Sequence, residues 1–344
     1  MNSNTILVTG GAGMIGCNLV KALRQRGNKV VVVDNLWRGC LKNLNDSHGK
    51  PVIDLKKEFY KLDLRKDGAL NKIRQRIDIV IHLADIVAGI GYVFKNEGQI
   101  FRDNLLINSN TFEWVRRNRP KALVYIGTAC SFPRELQMNK RASQLRECQL
   151  YPANPESAYG WSKLMGTYEA DLLGRETGVK VANLIFHNVY GTPCDLGPRS
   201  QVIPALALKT YQYPSRPFVV WGSGRQGRAF LHVQDAVHAI LLAMRRGLDQ
   251  GPIQIGPDYC TSIRSIAEIL VRISGKKIKI EYDKTKPEGD RARSADFRKA
   301  RRCLGWAPRV NLTAGLRDLY RWIELKEGAQ SRSSFKRQAK KQRA

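Results

Sequence analysis

Tyr159 and Lys163 are the residues of this chain best suited to move a proton. They are four positions apart, so on a helix both side chains lie on the same face. An ammonium group beside a phenol favours the phenolate, and the pair therefore predicts a pKa for Tyr159 that is lowered toward neutrality. A tyrosine in that state could take a proton from a hydroxyl group and act as a general base.

A glycine-rich turn near the start of the chain could hold the diphosphate of a dinucleotide. The sequence Thr-Gly-Gly-Ala-Gly-Met-Ile-Gly at 9–16 follows an apolar strand and precedes an amphipathic helix. Glycines at this spacing permit a tight bend, let the diphosphate approach the backbone, and direct the N-terminus of the helix at it. The turn predicts a dinucleotide site formed by Gly10, Gly13, Met14, Ile15 and Gly16.

The end of the second predicted strand indicates which dinucleotide binds. Asp34 closes that strand about twenty residues after the glycines, where a carboxylate can bind both ribose hydroxyls and repel a 2′-phosphate. We therefore predict NAD, with Asn35 and Arg38 beside it, while an arginine here leaves NADP open as an alternative. Asp63 and Leu64 are expected at the adenine, and the alternative for Asp63 is a helix-capping acid.

Strand and helix signals alternate through the first half of the chain, as in a doubly wound parallel sheet. β-Branched runs at 30–33 and 77–81 suit buried parallel strands. Beyond Asn188, clusters of glycine and proline separate short elements. We predict an α/β fold with a Rossmann domain at 1–187 to which later segments return, a smaller C-terminal α/β substrate-binding domain at 188–325, and a basic disordered tail at 326–344.

The composition favours a globular enzyme of a reducing compartment. No apolar stretch reaches membrane-spanning length. Seven cysteines without a C-x-x-C pair or zinc-type spacing predict free thiols and no metal site. Only a few polar residues precede the first strand, so no leader peptide is expected and we predict a cytoplasmic protein.

The positive charge raises the question of a polyanionic partner. The formal net charge is +28, and six Lys or Arg residues with no acid lie in 331–344. A solvated tail accounts for such a run, and contact of the tail with nucleic acid or an acidic membrane surface is the alternative. Insertion into a membrane is not expected.

The motifs together resemble the extended short-chain dehydrogenase/reductase family, the nucleotide-sugar epimerases and dehydratases, over residues 4–324. Besides the glycine turn and the Tyr-Gly-Trp-Ser-Lys segment at 159–163, the family's order is matched by His-Leu-Ala-Asp at 82–85, Asn-Val-Tyr-Gly at 188–191 and Leu-Gly-Trp-Ala-Pro at 304–308. The resemblance implies that NAD is contacted by Leu83, Ala84, Asn104, Tyr159 and Lys163.

The same resemblance implies the opening chemistry. Thr128 stands where the family places a residue that binds the sugar hydroxyl to be oxidised. Tyr159 would remove the proton of that hydroxyl while hydride passes to NAD, which gives a transient 4-keto sugar. The implied substrate is a sugar attached to a nucleoside diphosphate.

Cys130 indicates the fate of the keto sugar. Dehydratases of the family carry an Asp-Glu pair directly after the Thr, and Ala129 and Cys130 cannot supply that acid and base. A cysteine here, followed by an aromatic residue and Pro133, is similar to the GDP-mannose 3,5-epimerases and GDP-fucose synthases. A thiolate could take the acidified hydrogen at C5 or C3 of the keto sugar. The alternative for Cys130 is a small apolar filler.

Gln201 departs from that pattern. The resembling enzymes place a lysine or histidine there to carry the second proton, and glutamine cannot do so. The carrier would then be Arg199, His187 or water. If none serves, simple rotation of the keto sugar and return of hydride to its other face would make a 4-epimerase.

The resemblance also implies a diphosphate clamp and an assembly. The substrate is expected to contact Asn188, Gln201, Val202, Arg228, Arg291 and Arg293. A homodimer is expected through the helices around 105–114 and 159–173. The competing interpretation outside enzymes is a Rossmann protein that binds NAD or RNA without turnover.

Overall fold

The computed structural model describes residues 3–138, 144–286, 288–289 and 291–341, with side chains described up to residue 329. The strands are β1 (Thr5–Thr9), β2 (Lys29–Asp34), β3 (Phe59–Lys61), β4 (Ile79–His82), β5 (Ala122–Thr128), β6 (Gln144–Leu145), β7 (Lys180–Phe186), β8 (Asn188–Tyr190), β9 (Phe218–Trp221), β10 (Gly227–Arg228), β11 (Phe230–His232), β12 (Pro252–Ile255), β13 (Thr261–Ser262), β14 (Ile280–Asp283) and β15 (Ala292–Ala295). The α-helices are α1 (Met14–Gln25), α2 (Ile90–Val93), α3 (Glu97–Asn118), α4 (Ala158–Thr177), α5 (Val202–Gln212), α6 (Val233–Arg246), α7 (Ile263–Ser274), α8 (Arg298–Leu304) and α9 (Leu312–Lys341).

Seven parallel strands form the central sheet, in the order β12-β7-β5-β4-β1-β2-β3. The strand order reverses after β1, which is the doubly wound arrangement that places ligands beyond the carboxyl ends of the strands. The β-branched run of β2 is buried on both faces, with Val30 and Val32 packed on one side and Val31 and Val33 on the other. The α/β prediction with a Rossmann-type parallel sheet is confirmed.

Helices cover both faces of this sheet. One face packs on α1 and α6 through apolar residues such as Leu19, Leu23 and Ile240. The opposite face packs on α3 and α4 through Ile107, Phe112 and other buried side chains. The packing of these helices on the sheet determines where α1 and α4 begin. The first turns of α1 and α4 carry residues of the site.

The second half of the chain builds a smaller α/β layer beside the sheet. Its core joins α5, α7 and α9 through buried aliphatic residues that include Leu206, Leu270 and Leu319. Three short strands of this half pair with β6 from the first half, in the order β13-β10-β15-β6. The chain also returns to the first layer, because β12 pairs with β7 at the end of the large sheet and α6 lies against α1.

The last helix, α9, continues to Lys341. Its first half is anchored by the buried side chains of Leu316, Leu319 and Ile323. The later residues of the helix include many Ala, Gln, Lys and Arg, which are good helix formers, so the helix can propagate beyond its anchor. In the part of the chain that the structure describes, none of the helices has the length and apolar character needed to cross a membrane.

Candidate functional site

A cavity of about 1560 Å³ opens at the carboxyl edge of the seven-stranded sheet. Pockets for one small ligand measure about 300–1000 Å³, so this cavity has room for a dinucleotide and a second ligand. Most of the residues predicted from the sequence line it: Gly10, Gly13, Met14, Ile15, Gly16, Asp34, Asn35, Arg38, Asp63, Leu64, Leu83, Ala84, Thr128, Cys130, Tyr159, Lys163, Asn188, Gln201, Val202, Arg228 and Arg293. Asn104 and Arg291 are not among its lining residues.

The glycine turn fits the diphosphate of a dinucleotide. It connects β1 to α1, and Gly10 has a φ of 68°, a conformation that side chains disfavour. A Cβ at position 16 would lie 2.3 Å from the carbonyl oxygen of Gly10. Gly13 caps α1 without a side-chain hydrogen bond, so the first N–H groups of the helix face the cavity and can bind an anion.

Gly16→Ala should weaken NAD binding about tenfold or more and lower the melting temperature. The added methyl group would overlap backbone atoms, and overpacking of this kind costs about 1–3 kcal/mol. Gly98→Ala is the matched control, because a Cβ there meets no atom within 4 Å and the residue lies in α3. Calorimetric titration with NAD and thermal unfolding measure both effects. Equal NAD affinity in the two variants would contradict the assigned role of the turn.

Asp34 stands at the end of β2 with its carboxylate directed toward the turn. Its Oδ2 accepts a hydrogen bond from the N–H of Ala12 at 2.9 Å, and its Oδ1 accepts one from the N–H of Leu36 at 2.7 Å. Burial raises the pKa of this carboxyl, against the lowering effect of the two backbone donors. Because each oxygen keeps a second lone pair, the carboxylate can still accept hydrogen bonds from a ribose.

Arg38 and Asp63 line the cavity with protein partners of their own. Arg38 donates to the carbonyl oxygen of Val87 at 2.8 Å and its Nε lies 3.6 Å from Asp195 Oδ2, so it ties two cavity loops together. Asp63 forms an ion pair with Arg65, whose Nη2 lies 2.6 Å from Asp63 Oδ2. The hydrogen bonds from this guanidinium lower the pKa of the Asp63 carboxyl. A contact of either residue with the cofactor remains a prediction.

Asn104 does not line the cavity but binds the backbone of a residue that does. It is buried in α3, where its Oδ1 accepts from the N–H of Ile86 at 2.6 Å and its Nδ2 donates to the carbonyl oxygen of the same residue at 3.3 Å. The side chain thus holds the loop that follows β4. It can serve a cofactor by positioning that loop, not as a lining residue.

Tyr159 and Lys163 lie on the first turns of α4, as predicted, but a carboxylate stands with them. Tyr159 Oη donates to Asp85 Oδ2 at 3.2 Å, and Lys163 Nζ lies 3.5 Å from the same oxygen. Burial, and then the charge of Asp85, raise the pKa of Tyr159 well above its usual range. In the free protein the pKa of Tyr159 is therefore raised, by burial first and then by Asp85, and not lowered toward neutrality as the Tyr-Lys pair alone predicts.

Lys163 is buried, and an aromatic ring helps to hold its charge. Its Nζ lies 4.6 Å from the centroid of the Tyr125 ring. Burial lowers the pKa of the ammonium, but Tyr125 and Asp85 outweigh that effect, so the net shift is upward. Neither Tyr125 nor Asp85 was assigned a role from the sequence. The only signal for Asp85 in the sequence was its place in the His-Leu-Ala-Asp segment after β4.

Thr128 and Cys130 follow β5 into the cavity, where Cys130 meets a buried guanidinium. Thr128 Oγ1 accepts from the N–H of Cys130 at 3.3 Å and so orders the turn. Arg293 Nη2 lies 3.2 Å from Cys130 Sγ and 3.4 Å from Asn188 Oδ1. Its Nη1 donates to Gln137 Oε1 at 3.1 Å, which fixes the guanidinium in place.

The arginines predicted to clamp the diphosphate are placed differently. Arg293 is buried and lines the cavity, as does Arg228, which donates to the carbonyl oxygen of Gly227. Arg291 is exposed just before β15 begins. Of the three predicted arginines, Arg228 and Arg293 therefore line the cavity, and Arg291 does not.

His187 lines the cavity and contains a buried ring nitrogen that has no hydrogen-bond partner among the described residues. The side-chain Nε2 of Gln254 donates to the carbonyl oxygen of Leu145, so its Oε1 must accept from His187 Nε2, at 3.0 Å. His187 Nδ1 is then unprotonated, and it has no hydrogen-bond partner among the described residues. Burial lowers the pKa of this histidine to about 4. Gln201, at the start of α5, lines the same cavity.

Stability should fall as the pH drops below about 6.5. Burial lowers the pKa of His82 to about 3 and that of His187 to about 4. Between those values and about 6.5 the unfolded chain binds protons that the folded chain does not, so each histidine costs about 1.4 kcal/mol per pH unit. Urea unfolding at about pH 7.5 and about pH 5.5 tests this. An unchanged free energy of unfolding would show that neither histidine is held neutral.

Comparison with known proteins agrees with this arrangement. The chain matches the family described as "NAD dependent epimerase/dehydratase family" over residues 6–256. It is 30% identical over 319 residues to the GDP-mannose 3,5-epimerase of Arabidopsis thaliana, covering 93% of this chain and 82% of that protein. It is also 30% identical over 326 residues to a putative UDP-glucose 4-epimerase of Methanocaldococcus jannaschii, covering 93% of this chain and 98% of that protein.

A solved structure extends the likeness to the fold. The UDP-glucose 4-epimerase of Thermotoga maritima, determined with UDP-glucose, superposes with a TM-score of 0.83 at 26% identity and covers 94% of this chain and 99% of that one. This chain belongs to the NAD-dependent epimerase/dehydratase family. The predictions of family and of NAD as cofactor are confirmed.

Proposed function

We propose that this chain is a nucleotide-sugar epimerase that works through a transient 4-keto sugar, with GDP-mannose 3,5-epimerisation as its reaction. The observation that carries the proposal is Cys130, whose sulfur lies in the same cavity as Tyr159 and 3.2 Å from the buried Arg293 guanidinium. The 30% identity to a GDP-mannose 3,5-epimerase supports it.

The first step is oxidation of a sugar hydroxyl. Bound NAD would supply the hydride acceptor. The residues of the glycine turn and Asp34 would hold the NAD. Thr128 binds the hydroxyl, and Tyr159 takes up the hydroxyl proton as it gives up its own phenolic proton and hydride leaves the carbon. Lys163 keeps a positive charge beside this exchange. Asn188, Gln201 and Val202 contact the sugar nucleotide, and Arg228 and Arg293 bind its diphosphate.

The ketone acidifies the hydrogens on the adjacent carbons, and Cys130 removes one of them. Arg293 Nη2 lies 3.2 Å from the Cys130 sulfur and so holds it in the cavity. Arg293 would thus serve both the diphosphate and the thiol. Dehydration is disfavoured, because Ala129 and Cys130 offer no carboxylate pair for elimination.

The second proton carrier is His187 in this proposal. Gln201 has no titratable proton, while His187 lines the cavity and its buried Nδ1 has no hydrogen-bond partner among the described residues. Arg199 is engaged over the ring of Trp37, 4.3 Å from its centroid, and does not line the cavity. A neutral imidazole can accept a proton at Nδ1 and return it to the opposite face of the enol.

A 4-epimerase is the second candidate. Gln201 favours it, because inversion at C4 needs only rotation of the keto sugar and no carrier beyond Tyr159. The likeness to UDP-glucose 4-epimerases points the same way.

Free thiols and two exposed side chains bear on where the enzyme works and how it assembles. All seven cysteines are free, which suits a cytoplasmic location.

Leu106 on α3 and Tyr168 on α4 are 41% and 50% exposed, which suits a homodimer that covers both helices. Contact of the basic end of α9 with nucleic acid is not needed by any of these steps.

Product analysis tests the choice of substrate. The purified protein would be incubated with NAD and either GDP-mannose or UDP-glucose, and the nucleotide sugars separated by chromatography. We expect conversion of GDP-mannose to an epimer and none of UDP-glucose. The reverse result would favour the 4-epimerase, and conversion of neither would contradict the GDP-mannose reaction.

A further inference from the structure

Asp85 occupies a position that the opening chemistry has not used. Its Oδ2 receives the Tyr159 hydroxyl at 3.2 Å and stands 3.5 Å from Lys163 Nζ. Its side chain is only 15% exposed, and that of Lys163 3%. The carboxylate therefore lies between the two residues that the family's chemistry requires, and it lines the same cavity.

The backbone on both sides of Asp85 is fixed by buried side chains. On one side Thr9 Oγ1 accepts the N–H of Ala84 at 3.2 Å. On the other side the amide of Asn104 binds both the N–H and the carbonyl oxygen of Ile86. Groups held from two sides in this way keep a functional geometry without further ordering. The carboxylate is thus preorganised beside the phenol.

The placement changes how Tyr159 can act. A phenolate at Tyr159 would lie against the Asp85 carboxylate in a buried site, and two like charges at this distance oppose each other. A phenol that already donates to a carboxylate can instead pass its proton along the existing hydrogen bond. Lys163 balances the charge of the carboxylate, which a buried carboxylate requires.

We propose that Asp85 receives the proton of Tyr159 while Tyr159 takes the proton of the sugar hydroxyl. The hydroxyl O–H bond breaks as the Tyr159 Oη gains that proton, and the Tyr159 proton moves to Asp85 Oδ2. Hydride leaves the sugar carbon for NAD, so the products are a ketone, reduced cofactor and a protonated Asp85. The same path runs backwards when hydride returns. The inference rests on the oxidation step of the proposed function, which both epimerase candidates share.

Asp85→Asn tests the relay directly, because the amide keeps the shape and cannot accept the proton. With NAD bound and GDP-mannose or UDP-glucose as probe, single-turnover formation of reduced cofactor should slow about 100-fold near neutral pH. The rate should recover as the pH rises and Tyr159 ionises alone. Asp85→Glu, which restores a carboxylate, should recover part of the loss. A rate equal to or above that of the unaltered protein would overturn the proposal, because the carboxylate would then only hold Tyr159 protonated.

Asp249→Asn is the matched control. Asp249 pairs with Lys180 at 2.7 Å near the start of β7, away from the cavity, and its φ of 58° is one that asparagine accepts. We expect it to leave the single-turnover rate and its pH dependence unchanged. A pH profile that shifts equally in both variants would overturn the proposal, because the effect would then not be specific to Asp85.

A second readout separates failure of this inference from failure of the proposed function. If neither nucleotide sugar is oxidised, tyrosinate absorbance can be titrated in the NAD complex of the unaltered protein, of Asp85→Asn and of Asp85→Asn combined with Tyr159→Phe. We expect one tyrosine to ionise at lower pH in Asp85→Asn, and this signal to vanish in the double variant. Identical titrations in all three proteins would overturn the coupling of Asp85 to Tyr159 whatever the substrate is.

Discussion

Tyr159→Phe should reduce turnover of the nucleotide sugar by about 10³-fold or more while leaving NAD bound. The variant loses one oxygen, which contacts Asp85 and would contact the substrate hydroxyl. Lys163 stays paired with Asp85, and the glycine turn and Asp34 are untouched, so the cofactor site is unaffected. Turnover is followed by product chromatography and NAD binding by calorimetric titration.

Tyr168→Phe is the control for this variant. It makes the same chemical change on the same helix, at a side chain that is half exposed. We expect full activity from it. Retained activity in Tyr159→Phe would remove the tyrosine from the oxidation step and leave Asp85 to act on the hydroxyl alone.

Cys130→Ala should lower the rate of hydrogen exchange at C5 and C3 of the sugar by about 10²-fold or more. Oxidation at C4 should remain measurable. The sulfur is the only group that changes, and Thr128 and Tyr159 keep their places. Exchange is measured by mass spectrometry of the sugar after incubation in deuterated water. Oxidation is measured by transient absorbance of the reduced cofactor.

The control here is Cys148→Ala, because Cys148 is an exposed free thiol. It should leave both exchange and oxidation unchanged. If Cys130→Ala exchanges hydrogen as fast as Cys148→Ala, Cys130 is a filler at the end of β5 and the 3,5-epimerase proposal loses its base. Loss of oxidation as well as exchange would instead mean that the turn beginning at Thr128 had collapsed.

The fold and the cofactor site could be predicted because their signals are local. The four valines at 30–33 predict a buried strand without reference to any other part of the chain. The glycines at 10–16 and Asp34 lie within one strand-helix-strand unit. Each of these features depends on neighbours close in sequence. The parallel sheet then brings Leu83, Thr128 and Asn188 to one edge without further information.

The environment of the catalytic pair could not be predicted in the same way. Tyr159 and Asp85 are 74 positions apart, and the pKa of Tyr159 depends first on its burial and then on that carboxylate. Arg291 is exposed just before β15 and Arg293 is buried within it, and the sequence does not mark where this strand begins. The packing of α9 against α5 and α7 joins segments that are far apart in the sequence, so it could not be predicted locally either.

Proton NMR of GDP-mannose with the protein and NAD in deuterated water decides whether the keto sugar is enolised. We expect loss of the proton signals at C5 or C3 as deuterium enters, with the hydrogen at C4 retained, because hydride returns to the carbon that it left. Inversion at C4 with no deuterium at C3 or C5 would contradict enolisation and assign the chain a 4-epimerase reaction.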